Sequence, residues 1–400
     1  RKMQQSGLVE IASHTYALHK GLPANPQGNT QPAAVSRIYD QATAAYETDE
    51  AYATRIRADL ARNSALIEKE IGVRPRAIVW PYGRDSLILR QTAEALGMPI
   101  GMTLEDHRFD SKQKLSAMTR RLLRLNQLLP EFAYTLRQHD SAGISRVMHV
   151  DLDYIYDANP IQQDKNLSAL LERITSVGVN TVYLQAFADS DGDGNARALY
   201  FPNRHMPVRA DLFNRVAWQI GRRTGAKVYA WLPVMAFELP AQHPAAALTV
   251  KASRDDGKHA YQRLTLFSPF TRKVIGDIYE DLAKHAFVDG ILFHDDAVLT
   301  DYEDASPQAL EHYAKNWNWP NNVETIRADP KLIAQWTGNK TKELNAFTVE
   351  LADRVKQYRP HIKTARNLYA RVVTEPESEA WFAQSLPSFL DTYDWVAVMA

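Results

Sequence analysis

The sequence predicts an α/β chain whose larger part, residues 144–400, is a (β/α)8 TIM-like barrel truncated at its C-terminus. Six apolar runs, at 146–153, 180–187, 227–234, 289–294, 361–369 and 395–400, are separated by longer polar and amphipathic stretches. Several are apolar almost without a break, as parallel strands buried on both faces require. Between them apolar residues recur every three or four positions: Leu167, Leu170, Leu171, Ile174; Leu212, Val216, Ile220; Val274, Ile278, Leu282; Leu344, Phe347, Leu351, Val355. That is the period of an amphipathic helix. Gly225 follows the second of these helices where a left-handed residue would end it. No glycine-rich dinucleotide or phosphate-binding fingerprint follows any strand, which disfavours a doubly wound nucleotide fold and favours a barrel. A full barrel has eight βα units, so about two are missing on this count.

Residues 1–140 read differently. Expected there are a strand over 8–14, a polar loop over 21–40 rich in Asn, Gln and Pro, a helix over 51–71, and strands over 77–80 and 100–104. A long helix is expected over 115–138, interrupted near Pro130, and the short polar segment 139–143 is read as the boundary between two domains.

Lys plus Arg and Asp plus Glu both number 47, so the formal net charge is zero. Such a balance removes the broad positive field that nucleic acid or an anionic membrane attracts, and neither is an expected partner. No apolar run is long enough to span a bilayer, and no charged start followed by an apolar stretch marks a targeting segment. With no cysteine in the chain, disulfides and thiolate zinc sites are excluded. The chain starts at Arg1 and stops inside the apolar run that reaches Ala400, so both ends are read as cut.

His14 and His19 lie in Ser-His-Thr-Tyr-Ala-Leu-His, at the end of the first expected strand. On a continuing strand they would face opposite ways, so they meet only if the chain turns between them. Neutral imidazole is the commonest metal ligand, and two histidines with one carboxylate and open positions suit a zinc-class ion that activates water. From the spacing alone, two unrelated surface histidines are the commoner case. Further on, Val79-Trp80-Pro81-Tyr82-Gly83 follows a second strand.

Ser-His-x4-His followed by Trp-Pro-Tyr-Gly resembles the polysaccharide deacetylases of carbohydrate esterase family four, in particular the poly-β-1,6-N-acetylglucosamine N-deacetylase (PgaB-like) branch. The resemblance implies that residues 1–140 are the C-terminal part of a deacetylase (β/α) barrel. It implies His14 and His19 as ligands of a divalent metal of the zinc, nickel, cobalt or iron class. It also implies Pro81 and Tyr82 in the groove wall, with backbone near Tyr82 helping to hold the oxyanion. In that family an upstream Asp-Asp pair supplies the third ligand and the base. The pair is expected to lie before Arg1, so these residues alone are expected to bind metal weakly and not to turn over.

Residues 289–297, Asp-Gly-Ile-Leu-Phe-His-Asp-Asp-Ala, carry the fourth barrel strand straight into Asp295 and Asp296, with Asp301, Glu303 and Asp304 close behind. Catalytic groups of barrels sit at the carboxyl ends of strands. Glycoside hydrolysis needs a proton-holding acid and a second carboxylate or an acetamido group at the anomeric carbon, and neighbouring like charges raise at least one pKa. A solvated loop capping the next helix would carry the same acids. Trp231, Tyr302, Trp317, Trp319 and Trp336 are expected in the surrounding loops, able to stack on sugar faces, with a core role the other reading of Trp231. The first barrel strand ends with Asp151 and Asp153 on one face, followed by Tyr154. A carboxylate-lined groove with aromatic floors would favour glucosamine, whose ammonium it can pair.

His-Val-Asp-Leu-Asp-Tyr, Leu-Tyr-Phe-Pro-Asn-Arg, Val-Tyr-Ala-Trp-Leu-Pro, Phe-His-Asp-Asp-Ala and Arg-Asn-Leu-Tyr-Ala resemble, in order, the second domain of the same family. That resemblance implies an endo-glycosidase barrel acting on the partly deacetylated polymer, with Asp295, Asp296 and Asp301 as its acidic set. From their place around the barrel mouth, Asp151, Asp153, Tyr154, Trp231 and Tyr302 are expected as substrate contacts, and no cofactor is expected for the barrel. The resemblance further implies a periplasmic, outer-membrane-associated location beside an export porin. Two other readings remain open at this point: a barrel that only binds polymer and guides it to an export pore, and a glycosidase for an unrelated glycan. Asp189-Ser190-Asp191-Gly192-Asp193-Gly194 opens like a calcium loop, but Tyr200 stands at the twelfth position where a bidentate Glu is needed, and no calcium is expected.

Overall fold

The computed structural model describes residues 2–104, 114–120, 126, 128–137, 144–254 and 261–399, so the boundary expected at 139–143 lies outside the described residues. The chain divides into two compact units, 1–145 with 356–361, and 146–355 with 362–400.

In the first unit, helix α1 (Asp49–Ile71) begins at Thr48, whose side chain accepts the Ala51 amide. Asp49 and Glu50 complement its N-terminal partial charge, and Gly72 ends it in the left-handed region at φ 91°. Strands β1 (Ala77–Val79), β2 (Ile100–Thr103) and β3 (Met118–Thr119) form a parallel sheet, with helix α2 (Leu87–Ala95) linking the first two.

Three expectations for this unit are corrected. The strand expected over 8–14 shrinks to one bridge, Ser13 to Ile78, because Leu8 and Val9 are exposed and have no partner face to bury. The polar loop contains two antiparallel hairpins, Gly21–Pro23 with Thr30–Pro32 and Tyr39–Asp40 with Ala45–Tyr46. The helix expected over 115–138 is a turn at Leu115–Ala117, then β3, then helix α3 (Leu129–Arg137). Pro130 is the second residue of α3, where a missing amide costs nothing, so it opens a helix instead of interrupting one. Residues 356–361, read in the sequence as part of the barrel, pack in this unit: Arg359 donates to the Val35 carbonyl at 2.9 Å, and His361 Nε2 lies 3.0 Å from Asp85 Oδ1.

In the second unit, β4 (Val147–Val150), β5 (Thr181–Gln185), β6 (Lys227–Leu232), β7 (Gly290–Phe293), β8 (Lys363–Tyr369) and β9 (Trp395–Met399) form one six-stranded sheet. Every pairing is parallel and joins a strand to the next in sequence. A doubly wound fold reverses its strand order; this sheet does not, which is the winding of a barrel. Helices α4 (Pro160–Val177), α5 (Phe213–Thr224), α6 (Pro269–His285), α7 (Pro307–Trp317) and α8 (Pro330–Lys356) fill the connections. Gly225 closes α5 at φ 74°.

Tyr183, Tyr229, Leu292 and Ala365, one from each of four neighbouring strands, pack together with Trp231 against them. Gly290 makes room for this layer, since a Cβ there would lie 2.2 Å from Tyr229 Cε1. At the amino ends of the strands, Asn180, Asp289 and Asp394 each accept an adjacent strand's amide, from Arg146, Val228 and Thr364, all at 2.9 Å. Those side chains brace the sheet, which leaves the carboxyl ends for chemistry. No described helix is long and apolar enough to cross a membrane.

Candidate active site

Asp295 lies two residues past the end of β7 in a ring of donors. Its Oδ2 accepts the Tyr369 hydroxyl at 2.9 Å and the Tyr261 hydroxyl at 3.1 Å, and its Oδ1 lies 3.0 Å from His294 Nε2. Trp231 Nε1–H donates to His294 Nδ1 at 2.8 Å, so the imidazole proton sits on Nε2, facing Asp295. Burial pushes Asp295 up, but His294 and the two hydroxyls outweigh it and hold the carboxyl well below the usual carboxylate range. Burial likewise pushes His294 down, and Asp295 turns that into a net rise. Burial and the adjacent anion raise both tyrosines, so they remain hydrogen donors.

The other two expected acids part company with Asp295. Asp296 is fully buried and accepts the amides of Val234, Met235 and Ala236 at 2.6–3.1 Å. Its carboxylate serves the loop after β6 and presents no oxygen to a substrate, which corrects the expectation that it belongs to the reacting set. Asp301 is ion-paired to Arg327 at 2.8 Å, and no hydrogen bond or ion pair among the described residues joins it to Asp295. Arg327 also covers the Tyr302 ring, 3.8 Å from its centroid, so both expected residues are occupied by one guanidinium.

On the first strand, Asp151 is half-buried and its pKa is raised, first by burial and then by Asp153 and Asp189. Asp153 accepts the Tyr200 hydroxyl at 2.6 Å and the Asp189 amide at 2.8 Å. Tyr154 stands 80% exposed, an aromatic face open to solvent beside these acids. Three of the four expected tryptophan platforms divide: Trp336 is buried in α8, Trp317 ends α7 and stacks on Tyr313 at 4.7 Å, and Trp319 remains in the loop beyond. The first two are packing residues because their helices turn them onto Tyr313. The carboxylates of Asp189, Asp191 and Asp193 do converge, but Arg197 pairs Asp191 and Asp193 at 2.6 and 2.5 Å.

In the first unit the chain turns between the two histidines. Asp59, on α1, accepts the amides of Tyr16 and Ala17 at 2.8 and 2.7 Å, and Thr15 takes φ 69°. His14 Nε2 and His19 Nδ1 arrive 3.0 Å apart. His14 Nδ1–H donates to the Val79 carbonyl at 2.6 Å, the outer bond that fixes a ligating imidazole's tautomer. Pro81 is buried, whereas Tyr82, at φ 56°, is exposed and meets His19 edge-on at 4.6 Å. The pair fits a divalent ion as two nitrogen donors with free positions; among the described residues no third His or carboxylate completes a three-ligand group with them.

The sequence profile described as hypothetical glycosyl hydrolase family 13 matches residues 149–400, and that of polysaccharide deacetylase matches residues 1–101. The chain belongs to the hypothetical glycosyl hydrolase family 13. It is 43% identical, over its whole length, to the poly-β-1,6-N-acetyl-D-glucosamine N-deacetylase of Escherichia coli strain K12, and 42% identical to that of strain O157:H7. It spans 60% of the length of each of these relatives. Among solved structures, the glycoside hydrolase domain of PgaB (BpsB) from Bordetella bronchiseptica is 51% identical over 64% of this chain and 74% of that one, with a TM-score of 0.62.

In this family 13 barrel, sequence reasoning assigned no role to His294, Tyr261, Tyr369 or Arg366, all of which act on the segment holding Asp295. His294 and Tyr369 lay inside motifs already quoted, where a titratable or hydroxyl side chain beside a strand's carboxyl end was the available signal. Tyr261 had none, since the loop that brings it in follows β6 at a distance in sequence.

Proposed function

We propose that this chain is part of a two-site polysaccharide hydrolase whose barrel cleaves partly deacetylated poly-β-1,6-N-acetylglucosamine. The observation that carries the reading is Asp295, kept as an anion at the carboxyl end of the fourth barrel strand by His294, Tyr261 and Tyr369. A carboxylate so held stabilises positive charge developing at an anomeric carbon. The substrate class comes from the relatives, which are named for this polymer.

Recognition of deacetylated units falls to Asp151, Asp153 and Tyr154. Mutual repulsion among Asp151, Asp153 and Asp189 raises the first of these after burial has done so, and an ammonium group placed among them relieves that repulsion. Tyr154 offers a ring face for a pyranose. In the first unit His14 and His19 would hold the divalent metal of an N-deacetylase site. Such an ion, when bound, acidifies water and polarises an acetyl carbonyl. His14 is kept in the ligating tautomer by Val79, and Tyr82 bounds the site beside His19. On the same reading the chain works in the periplasm next to an outer-membrane export pore.

A substrate panel tests the reading. Oligomers of β-1,6-linked sugars carrying free amines should bind more tightly than fully acetylated ones, and the difference should shrink as salt rises. Equal affinity for both removes the ammonium argument.

A further inference from the structure

We infer that Arg366 is a positioning residue for Asp295, an inference that rests on Asp295 being the reacting carboxylate. Arg366 lies on β8 opposite Phe293, the last residue of β7, and is 1% exposed. Its Nη1 donates to the His294 carbonyl at 2.6 Å and its Nη2 to the Ala297 carbonyl at 2.7 Å. These two carbonyls bracket Asp295 and Asp296, so one guanidinium grips both ends of the turn that carries the acid. The Asp296 bonds to residues 234–236 grip its middle from the other neighbouring strand. The turn leaving β7 is therefore pinned to β8 and to the loop after β6.

A fold-stabilising clamp needs no charge, because a neutral amide can also donate to carbonyls. A buried cation is costly unless its field is used. No carboxylate lies within ion-pair distance of Arg366 among the described residues, and its Nε is buried without a partner. The field falls on the site instead: the guanidinium opposes a further proton on His294.

The test uses the full 400-residue chain with a β-1,6-linked glucosamine oligomer that is partly N-acetylated. Arg366→Lys and Arg366→Met are compared with the parent and with Asp295→Asn for kcat, KM and thermal unfolding. Arg366→Lys should lower kcat at least tenfold with KM within twofold, and Arg366→Met should lower kcat further. A folded Arg366→Lys with kcat within threefold of the parent, or with its whole loss in KM, overturns the inference. If Arg366→Met does not fold, Arg366→Lys decides alone. If Asp295→Asn keeps the parent rate, or the parent itself does not cleave, the reading of Asp295 fails and takes this inference with it. If Asp295→Asn is inactive while both Arg366 variants are unimpaired, only the role of Arg366 is lost.

Discussion

Trp231 Nε1 and His294 Nδ1 are 2.8 Å apart, and this bond puts the imidazole proton on the nitrogen that faces Asp295. The half-buried indole could also serve as a sugar platform, and one substitution separates the two roles. Trp231→Phe keeps an aromatic face but removes the N–H, freeing His294 to take the other tautomer. Its kcat should fall about tenfold or more, roughly one lost hydrogen bond at the reaction centre, with KM little changed. A rise in KM with kcat intact would show that the ring acts as a platform alone.

Asp295 and Asp296 are neighbours in sequence with opposite environments, so their substitutions should fail in different ways. Asp296→Ala strands three buried amides, each worth about 1–3 kcal/mol when left without an acceptor. It should lower the urea midpoint by several tenths molar or more. Asp295→Asn keeps an acceptor oxygen for the tyrosine hydroxyls but loses the charge that His294 and those hydroxyls hold, so it should lower the midpoint by less than Asp296→Ala does. The reverse ranking in denaturant melts would mean that the roles of the two acids have been exchanged.

A histidine relay gives the second unit a pH dependence. His243 Nδ1 accepts the Ala245 amide at 3.1 Å, so its proton is on Nε2, 3.2 Å from His205 Nδ1. His205 then donates through Nε2 to Asp277 at 3.0 Å, beside Lys273 and near Arg204. Both rings are neutral in this arrangement. Burial, then His205, lowers the His243 pKa. The folded chain therefore binds fewer protons than the unfolded one below the ordinary value of about 6.5. The contribution is complete above that value and is lost as pH falls through the lower, folded value. Urea melts should shift to lower midpoints from pH 7 to pH 5, and His243→Gln should flatten that slope. An unchanged slope in His243→Gln would remove the relay from the account.

The two-histidine site should bind a divalent ion weakly. Titration calorimetry with zinc is expected to give binding that His14→Ala or His19→Ala abolishes. Asp59→Ala, which frees the turn at Tyr16 and Ala17, should weaken it without removing a ligand. Binding unchanged in His14→Ala would place the ion elsewhere.

The six parallel strands were legible because each is a short apolar run separated from the next by a helix with a 3.6-residue period, and burial on both faces leaves the chain little choice. The first unit was less legible. Its hairpins and the two-residue strand β3 carry too few residues for any period, and the order of 8–14 depends on one bridge at Ser13. For the site, position after a strand pointed to Asp295 and Asp296 together, since sequence adjacency says nothing about which way a side chain leaves a turn. What separates them is the contact of Asp296 with amides sixty or more positions earlier, and of Asp295 with hydroxyls from two different segments.

Mass analysis of the sugars released from defined, partly deacetylated poly-β-1,6-N-acetylglucosamine by the chain and by its Asp295→Asn variant addresses the cleavage claim most directly. The account expects shorter oligosaccharides from the parent and an unaltered polymer from the variant, with both proteins equally folded. The same product ladder from both would contradict it.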